Sequence, residues 1–318
     1  MIYEFAVDPK VVSEQIGWLF IDSFGISKGR LISKFPSKWQ RVVYEQCADW
    51  GEIEKKRLEE KLNPLSDIGL EQRIAKGGGR EYNGDLDWLT NAEKFENDFR
   101  AIISTQNPRN KDSVLLSDQL DDSNNYWAVT NPATTPRTPN DMVSCVTTLF
   151  SQSSEILLID PHFCPFAARY QKTLRAFSKA AVLGGRFPVR FEYHVKWKPE
   201  DDSDCPAFQE ACEKFIPGLL PVGLVLEIFR WTNRYNGKKL HPRFVLTEKG
   251  GIGFEQGLDT GHPGEETLVT LLDAKETFPK TWAEYQYPSS EFDLKEKIRI
   301  EWDKGKPVFS ITSFDNNA

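Results

Sequence analysis

"KKLHPRFVLTEKGGIGFEQGLD", residues 238–259, decides how the rest of the chain is read. Two lysines, a histidine and an arginine lead into the apolar stretch Phe244–Leu246. Lys249-Gly250-Gly251 follows, and a second apolar stretch closes on Asp259. Two short apolar runs with glycines between them read as a β-hairpin. A turn at Lys249-Gly250-Gly251 sets Glu248 against Ile252, Val245 against Glu255, Arg243 against Gly257 and His241 against Asp259. His241 and Arg243 are two apart, so both side chains leave one face of a strand. In that register Phe244, Leu246, Ile252, Phe254 and Leu258 make an apolar face. The opposite face gathers a cation, an imidazole, carboxylates and glycines. A slip of one residue would exchange the faces.

Upstream of the strip, strands and helices alternate. A helix ("DMVSCVTTLFSQS") leads into the buried strand "EILLID", then the helix "FAARYQKTLRAFSKAAV" and the strand "VRFEYHVKW". A helix ("AFQEACEKFI") and a strand ("GLVLEIFRW") complete the run. This rhythm predicts an α/β fold, a mixed sheet with helices on both faces. Parallel strands in such a sheet end at one rim, where ligands bind. Asp160-Pro161-His162, His194 and Arg230-Trp231 close three strands there, and the loop "TNRYNGKK" brings His241 to the same rim. The tail "KIRIEWDKGKPVFSITSF" reads as a hairpin turning between Asp303 and Lys306.

Before the polar, proline-rich segment "DDSNNYWAVTNPATTPRTPND" the pattern is mixed and mostly helical. "PSKWQRVVYEQCADW" and "EIEKKRLEEKL" have helical spacing. "DWLTNAEKFENDFRAIIS" adds a helix capped at Thr90 or Asn91. The expected organisation is a mostly helical region of unassigned role over 1–135, an α/β core over 136–275 and a C-terminal β-hairpin extension over 276–318.

Composition narrows the function classes. The chain has 318 residues and a formal net charge of −7, which argues against a generic nucleic-acid coat. Two windows depart from that background, Lys28–Arg41 and Arg230–Arg243, each with five Lys/Arg and no acid. The first reads as solvated surface, the second as a local anion site. Five cysteines without a C-x-x-C pair suit reduced, buried thiols and give no metal spacing. No leader pattern opens the sequence, and the apolar run from Phe215 is too interrupted to span a bilayer. A cytoplasmic protein with no membrane partner is expected.

Phosphodiester cleavage needs a nucleophile, positive charge on the non-bridging oxygens and a proton for the leaving group. Imidazole can attack phosphorus, a second imidazole can protonate the departing oxygen, and a guanidinium fork holds two phosphate oxygens. His241, Arg243, Glu255 and Asp259 are therefore the candidate catalytic group. Arg230, Arg234, Lys238, Lys239, His162 and His194 are candidates for binding the substrate.

H-x-R-x4-E at His241, Arg243 and Glu248, followed by glycines and a second strand, resembles the H-x-K-x4-D signature of the phospholipase D superfamily. "ILLIDPHF" likewise resembles that fold's first core strand. The resemblance covers roughly residues 139–275. It implies a phospholipase D-like core, a histidine nucleophile or acid at His241 and a phosphate-holding cation at Arg243. Glu248 lies too far along the strand to touch the same phosphate and is read as a structural acid. Lysine is replaced by arginine and aspartate by glutamate. "HVKWKPED", His194–Asp201, fits the signature letter for letter, but an acidic loop follows it and no return strand, so it is read as accidental. One motif per chain implies a homodimer with a composite site and no metal or other cofactor. The expected activity is a nuclease or phosphodiesterase acting on nucleic acid, DNA before RNA. The N-terminal region suggests protein partners in a larger system, such as restriction or antiphage defence. The alternative is a catalytically silent module that binds nucleic acid or a protein partner.

Overall fold

The computed structural model describes residues 1–14, 20–63, 71–76, 79–183, 185–198 and 207–314. The chain forms two compact units, Met1–Thr130 and Asn131–Ala318.

In the first unit β1 (Tyr3–Val7) leads to α1 (Pro9–Glu14), β2 (Arg30–Ile32), α2 (Trp39–Gln46) and α3 (Glu52–Leu62). Then come α4 (Trp88–Glu93), β3 (Ala101–Ser104) and β4 (Val114–Leu116). The strands form a parallel sheet in the order β2-β1-β3-β4, so the unit is α/β rather than mostly helical. "AIIS", expected as the end of a helix, is the central strand β3. All four of its residues are buried, so it lacks the alternation that marks a half-buried strand. The helix before it stops at Glu93 and is capped by Asp87, which accepts from the Thr90 N–H, and not by Thr90 or Asn91. Phe5, Phe24 and Trp127 pack edge to face in the core, and Trp39 Nε1 donates to the Val7 carbonyl at 2.6 Å. In the first cationic window Arg41 pairs with Glu45 as on an ordinary solvated face, whereas Arg30 is largely buried, stacked over Trp127 and paired with Asp122.

The second unit begins with β5 (Ala133–Pro136), α5 (Pro139–Gln152), β6 (Glu155–Ile159), α6 (Ala168–Ala181) and β7 (Arg190–Lys196). It continues through α7 (Phe208–Phe215), β8 (Leu226–Asn233), β9 (Phe244–Thr247), β10 (Gly250–Phe254) and β11 (Glu266–Leu271). It closes with α8 (Thr277–Glu284), β12 (Phe292–Asp303) and β13 (Lys306–Ser313). One mixed nine-stranded sheet runs β13-β12-β8-β7-β6-β9-β10-β11-β5. β6, β7 and β8 are parallel, and β9 returns antiparallel beside β6. β6 is buried at four of its five positions, as a strand covered on both faces must be. Tyr193 of β7 stacks on Phe163, which meets Tyr170 of α6 edge on. On the other face Leu157, Phe229, Trp231 and Leu246 pack with Phe278, Trp282 and Tyr285 of the α8 region.

Two boundaries move. The units divide at 130/131, and the proline-rich segment contributes the edge strand β5, paired with β11. Residues 276–318 are not an extension, because β12 pairs with β8 and joins the main sheet. The tail hairpin does turn between Asp303 and Lys306. Lys304 and Gly305 take φ of 48° and 77°, the two left-handed residues of a tight hairpin turn.

The 238–259 hairpin forms in a different register. Thr247 pairs with Gly250, Leu246 with Gly251, Val245 with Ile252 and Phe244 with Gly253. The turn is Glu248-Lys249, three residues off the expected pairing. Gly250 and Gly251 lie within β10. A Cβ on Gly251 would stand 2.6 Å from Leu246 Cδ2 and 2.7 Å from Leu272 Cδ1. The glycine there permits close packing rather than a turn. Val245, expected on the polar face, is fully buried. A sheet covered on both sides has no polar face to offer.

Cys164 is disulfide-bonded, against the expectation of reduced thiols throughout, whereas Cys47, Cys145 and Cys212 are free. Cys205 lies outside the described residues, as does the end of the accidental motif at Asp201. Among the described residues no helix is long and apolar enough to cross a membrane, and no group of three or more His, Cys, Asp or Glu could hold a metal ion.

Candidate functional site

β6 runs out at Ile159, which lies between His194 on β7 and Phe244 on β9. The rim there carries Asp160, the segment before β9, the end of β10 and, through β11, the end of β5. Arg243 accepts from the Phe254 N–H through its carbonyl at 2.9 Å, extending the hairpin to this rim.

Two aspartates organise it. Asp160 is buried, and its oxygens accept the N–H groups of His162 at 2.9 Å and Leu258 at 2.8 Å. Burial pushes its carboxyl above the usual range, opposed by those two N–H groups and by the Arg243 guanidinium. Asp259, also buried, sits between Arg137 Nη2 at 2.5 Å and Arg169 Nε at 3.2 Å. The loop between Gly257 and Gly261 is drawn in by two backbone bonds, Thr260 N–H to the Arg169 carbonyl and Gly261 N–H to the Arg137 carbonyl. Gly257 has φ of 127° and passes between the carboxylates. A Cβ there would lie 2.9 Å from Asp259 Oδ1 and 3.2 Å from Asp160 Oδ2. The Tyr170 hydroxyl is held in its neutral form first by burial and then by the two aspartates.

Beside Asp259 opens a cleft of about 440 Å³, lined by Arg137, Arg169, Lys172, Thr260, His262 and Glu265 among others. Arg169 is largely exposed and points only its Nε at Asp259. The buried Nε atoms of Arg137 and Arg243 have no hydrogen-bond partner. The arrangement offers guanidinium groups from three segments, the end of β5, the start of α6 and the approach to β9, around two acids. It suits an anion with several oxygens.

The expected residues divide sharply. Arg243 and Asp259 come to this rim. His241 lies in the exposed segment before β9, two residues from Arg243, and has no hydrogen-bond or ion-pair partner among the described residues. His162 is exposed in the turn after β6, with its backbone N–H on Asp160. Glu255 is exposed beyond β10. Glu248 takes the N–H and hydroxyl of Ser154 and the N–H of Glu155, tying the β9–β10 turn to the start of β6.

Two of the other expected residues, His194 and Arg230, are buried beneath the rim. His194 is fully buried, stacked on Phe229 and Trp231 with ring centroids 5.1 and 5.9 Å away. Trp231 Nε1 donates to its Nδ1 at 3.0 Å, which leaves Nε2–H for Glu192 Oε2 at 3.0 Å. Burial lowers the His194 pKa, so it is a neutral core residue. β7 alternates, and His194 faces the α8 side while Tyr193 and Val195 face α6. Arg230 is buried too, paired with Glu296 at 2.6 Å and stacked over Phe208. A substrate-binding role is withdrawn for both. Arg234 is engaged by Asp293 and the Ser289 and Ser290 carbonyls, and Lys238 by Glu284. Lys239 remains exposed.

Arg137, Arg169, Lys172 and His262 were not legible. Arg137 stood in the proline-rich segment that marked the boundary, and His262 lay beyond the hairpin with no motif around it. The pairing of β5 with β11 brings Arg137 and His262 together, and the bond from Thr260 N–H to the Arg169 carbonyl ties the start of α6 to them. Comparison with family models, with curated proteins and with solved structures finds no match to this chain.

Proposed function

We propose that the Asn131–Ala318 unit binds and cleaves phosphodiester bonds of nucleic acid at the rim of β6, β9 and β10. The observation that carries this reading is the convergence of Arg137, Arg169 and Arg243 on one rim beside the unpartnered His241. Two findings support the phospholipase D-like reading. The two stretches that carry the resemblance, "ILLID" and the strand after His241, are antiparallel neighbours in mid-sheet. The motif acid Glu248 binds backbone, as a structural acid would.

In this reading a His241 ring nitrogen attacks phosphorus. A P–N bond forms while the P–O bond to the leaving sugar breaks, and the departing oxygen takes a proton from a second imidazole. Water then attacks the phosphohistidine and gives a proton to the second imidazole; the P–N bond breaks, a phosphate monoester leaves and both rings are restored. The arginines hold the non-bridging oxygens as charge shifts. The second imidazole comes from the His241 of a second copy, in a homodimer. The cytoplasm stays the expected compartment, without the support of the cysteines, and partners in a defence system fit the separate N-terminal unit.

A second reading has its own support. Arg243 already faces the buried Asp160, and two arginines are engaged by Asp259, so the rim is partly neutralised without a ligand. That suits a silent binding module. Incubation of plasmid and single-stranded DNA in EDTA separates the two. The proposed function requires cleavage by wild type and at least a hundredfold loss in His241→Ala. Equal cleavage by both proteins, or none by either, removes the hydrolase.

A further inference from the structure

α6 carries Arg169, Lys172, Arg175 and Lys179, and no acid among its fourteen residues. The spacing of three, three and four places all four on one side of the helix, opposite the buried Tyr170, Leu174 and Phe177. All four are exposed. Along the axis they stand about 4.5 to 6 Å apart and span about 15 Å. α3 of the same chain shows the ordinary alternative, with four acids interleaved among four bases. On α6 only Arg169 has an acidic partner among the described residues.

The stripe flanks a groove of about 530 Å³ between α5 and α6. Lys172, Arg175 and Lys179 line it, its floor includes Ala176, Ala180 and Leu219, and none of its lining residues is acidic. Lys172 also lines the cleft beside Asp259, so the groove and the cleft adjoin at that side chain. Near the start of α6, Phe166 is 68% exposed, its ring edge on to Phe215.

We infer that a single strand of nucleic acid lies along α6, its phosphates on Lys172, Arg175 and Lys179, and enters the cleft at Arg169 and Arg137. This inference rests on the function proposed above and adds the substrate's form and path. Lysine and arginine at steps of one helical turn match the repeat of an extended phosphate backbone. An apolar trough of alanines and leucine accepts sugars and base edges, which a duplex keeps covered. The path differs from the loop before His241, where Arg234 and Lys238 are already engaged.

The test is fluorescence anisotropy of a labelled twenty-nucleotide oligothymidine in EDTA over a series of salt concentrations. The triple variant Lys172→Gln/Arg175→Gln/Lys179→Gln should bind at least thirtyfold more weakly at low salt. Its slope of log affinity against log salt should be shallower by about 2, since each single-strand phosphate contact contributes about 0.7. Each single variant should take about a third of that change. The control Lys55→Gln/Lys56→Gln/Arg57→Gln on α3, with the same loss of charge, should bind as wild type does. Unchanged affinity and slope in the triple variant would overturn the inference, as would an equal loss in the α3 control. Duplex bound as tightly as single strand with the same dependence on these residues, or vesicles of phosphatidylserine bound in its place, would also overturn it. Binding does not depend on turnover: a stripe-dependent slope in a protein that cleaves nothing would sink the hydrolase and keep the path.

Discussion

Gly257 is where the candidate site is most exposed to a single substitution. Its φ of 127° suits glycine alone, and the two aspartates leave no room for a methyl group. Gly257→Ala should therefore combine backbone strain with displacement of Asp160 and Asp259, and lower stability in urea by about 2–4 kcal/mol. Gly264 supplies the comparison, since its φ is 88° but nothing lies within 4 Å of its missing Cβ. Gly264→Ala should carry the strain alone, about 1–2 kcal/mol, and keep the rim intact. Equal losses in the two variants would mean that the carboxylates do not crowd Gly257. Residue type alone found part of this rim. Arg243 and Asp259 were legible because a cation and an acid frame an apolar strand pair. Gly257 was read only as a glycine of the polar face opposite Arg243, and its contact with Asp160 depends on a residue almost a hundred positions away.

At the level of the element, the strand–helix alternation from 139 to 233 was read correctly because helical and strand periods differ so clearly there. Register was not. Two glycines in succession look like a turn, yet here they admit Leu246 and Leu272 against the β10 backbone, and the turn moves to Glu248-Lys249. The face of His194 was missed for a related reason. It depends on the parity of β7, and a strand buried on both faces gives no alternation from which to read it. What β7 does carry is a buried polar network. Arg190 pairs with Glu192, Glu192 accepts from His194, and His194 accepts from Trp231. Burial holds the His194 pKa below its usual 6.5, so the unfolded chain binds the extra proton first as pH falls. Against the cost of burial, the bonds from His194 and Arg190 hold Glu192 below its usual 4.5. Both contributions are complete above those usual values and are lost on acidification, His194's below pH 6.5 and Glu192's below pH 4.5. The melting temperature should fall between pH 7.5 and 5.5. His194→Asn, which keeps a donor and an acceptor but does not titrate, should start about 1–3 kcal/mol less stable and show a smaller fall. An identical pH dependence in the variant would contradict the assignment.

For the whole molecule, the division at 130/131 has a direct consequence. Residues 131–318 contain the entire nine-stranded sheet and the α8 side of its core. That fragment should fold and unfold in one cooperative transition. A fragment ending at 275 loses α8 and β12, uncovers Trp231 and His194 and should not fold. A cooperative transition in the shorter piece would show that β12 is dispensable. The parallel sheet of the first unit was illegible because its strands are three to five residues long and buried. The proposed chemistry is assigned to the second unit, and one experiment tests it most directly. The protein is quenched at alkaline pH during a single turnover of an end-labelled oligonucleotide, and its peptides are mapped by mass spectrometry. A nucleotide phosphoramidate on His241, absent from His241→Ala, is the expected result. Cleavage that proceeds with no adduct, an adduct on another residue, or no reaction at all would contradict a histidine nucleophile at this rim.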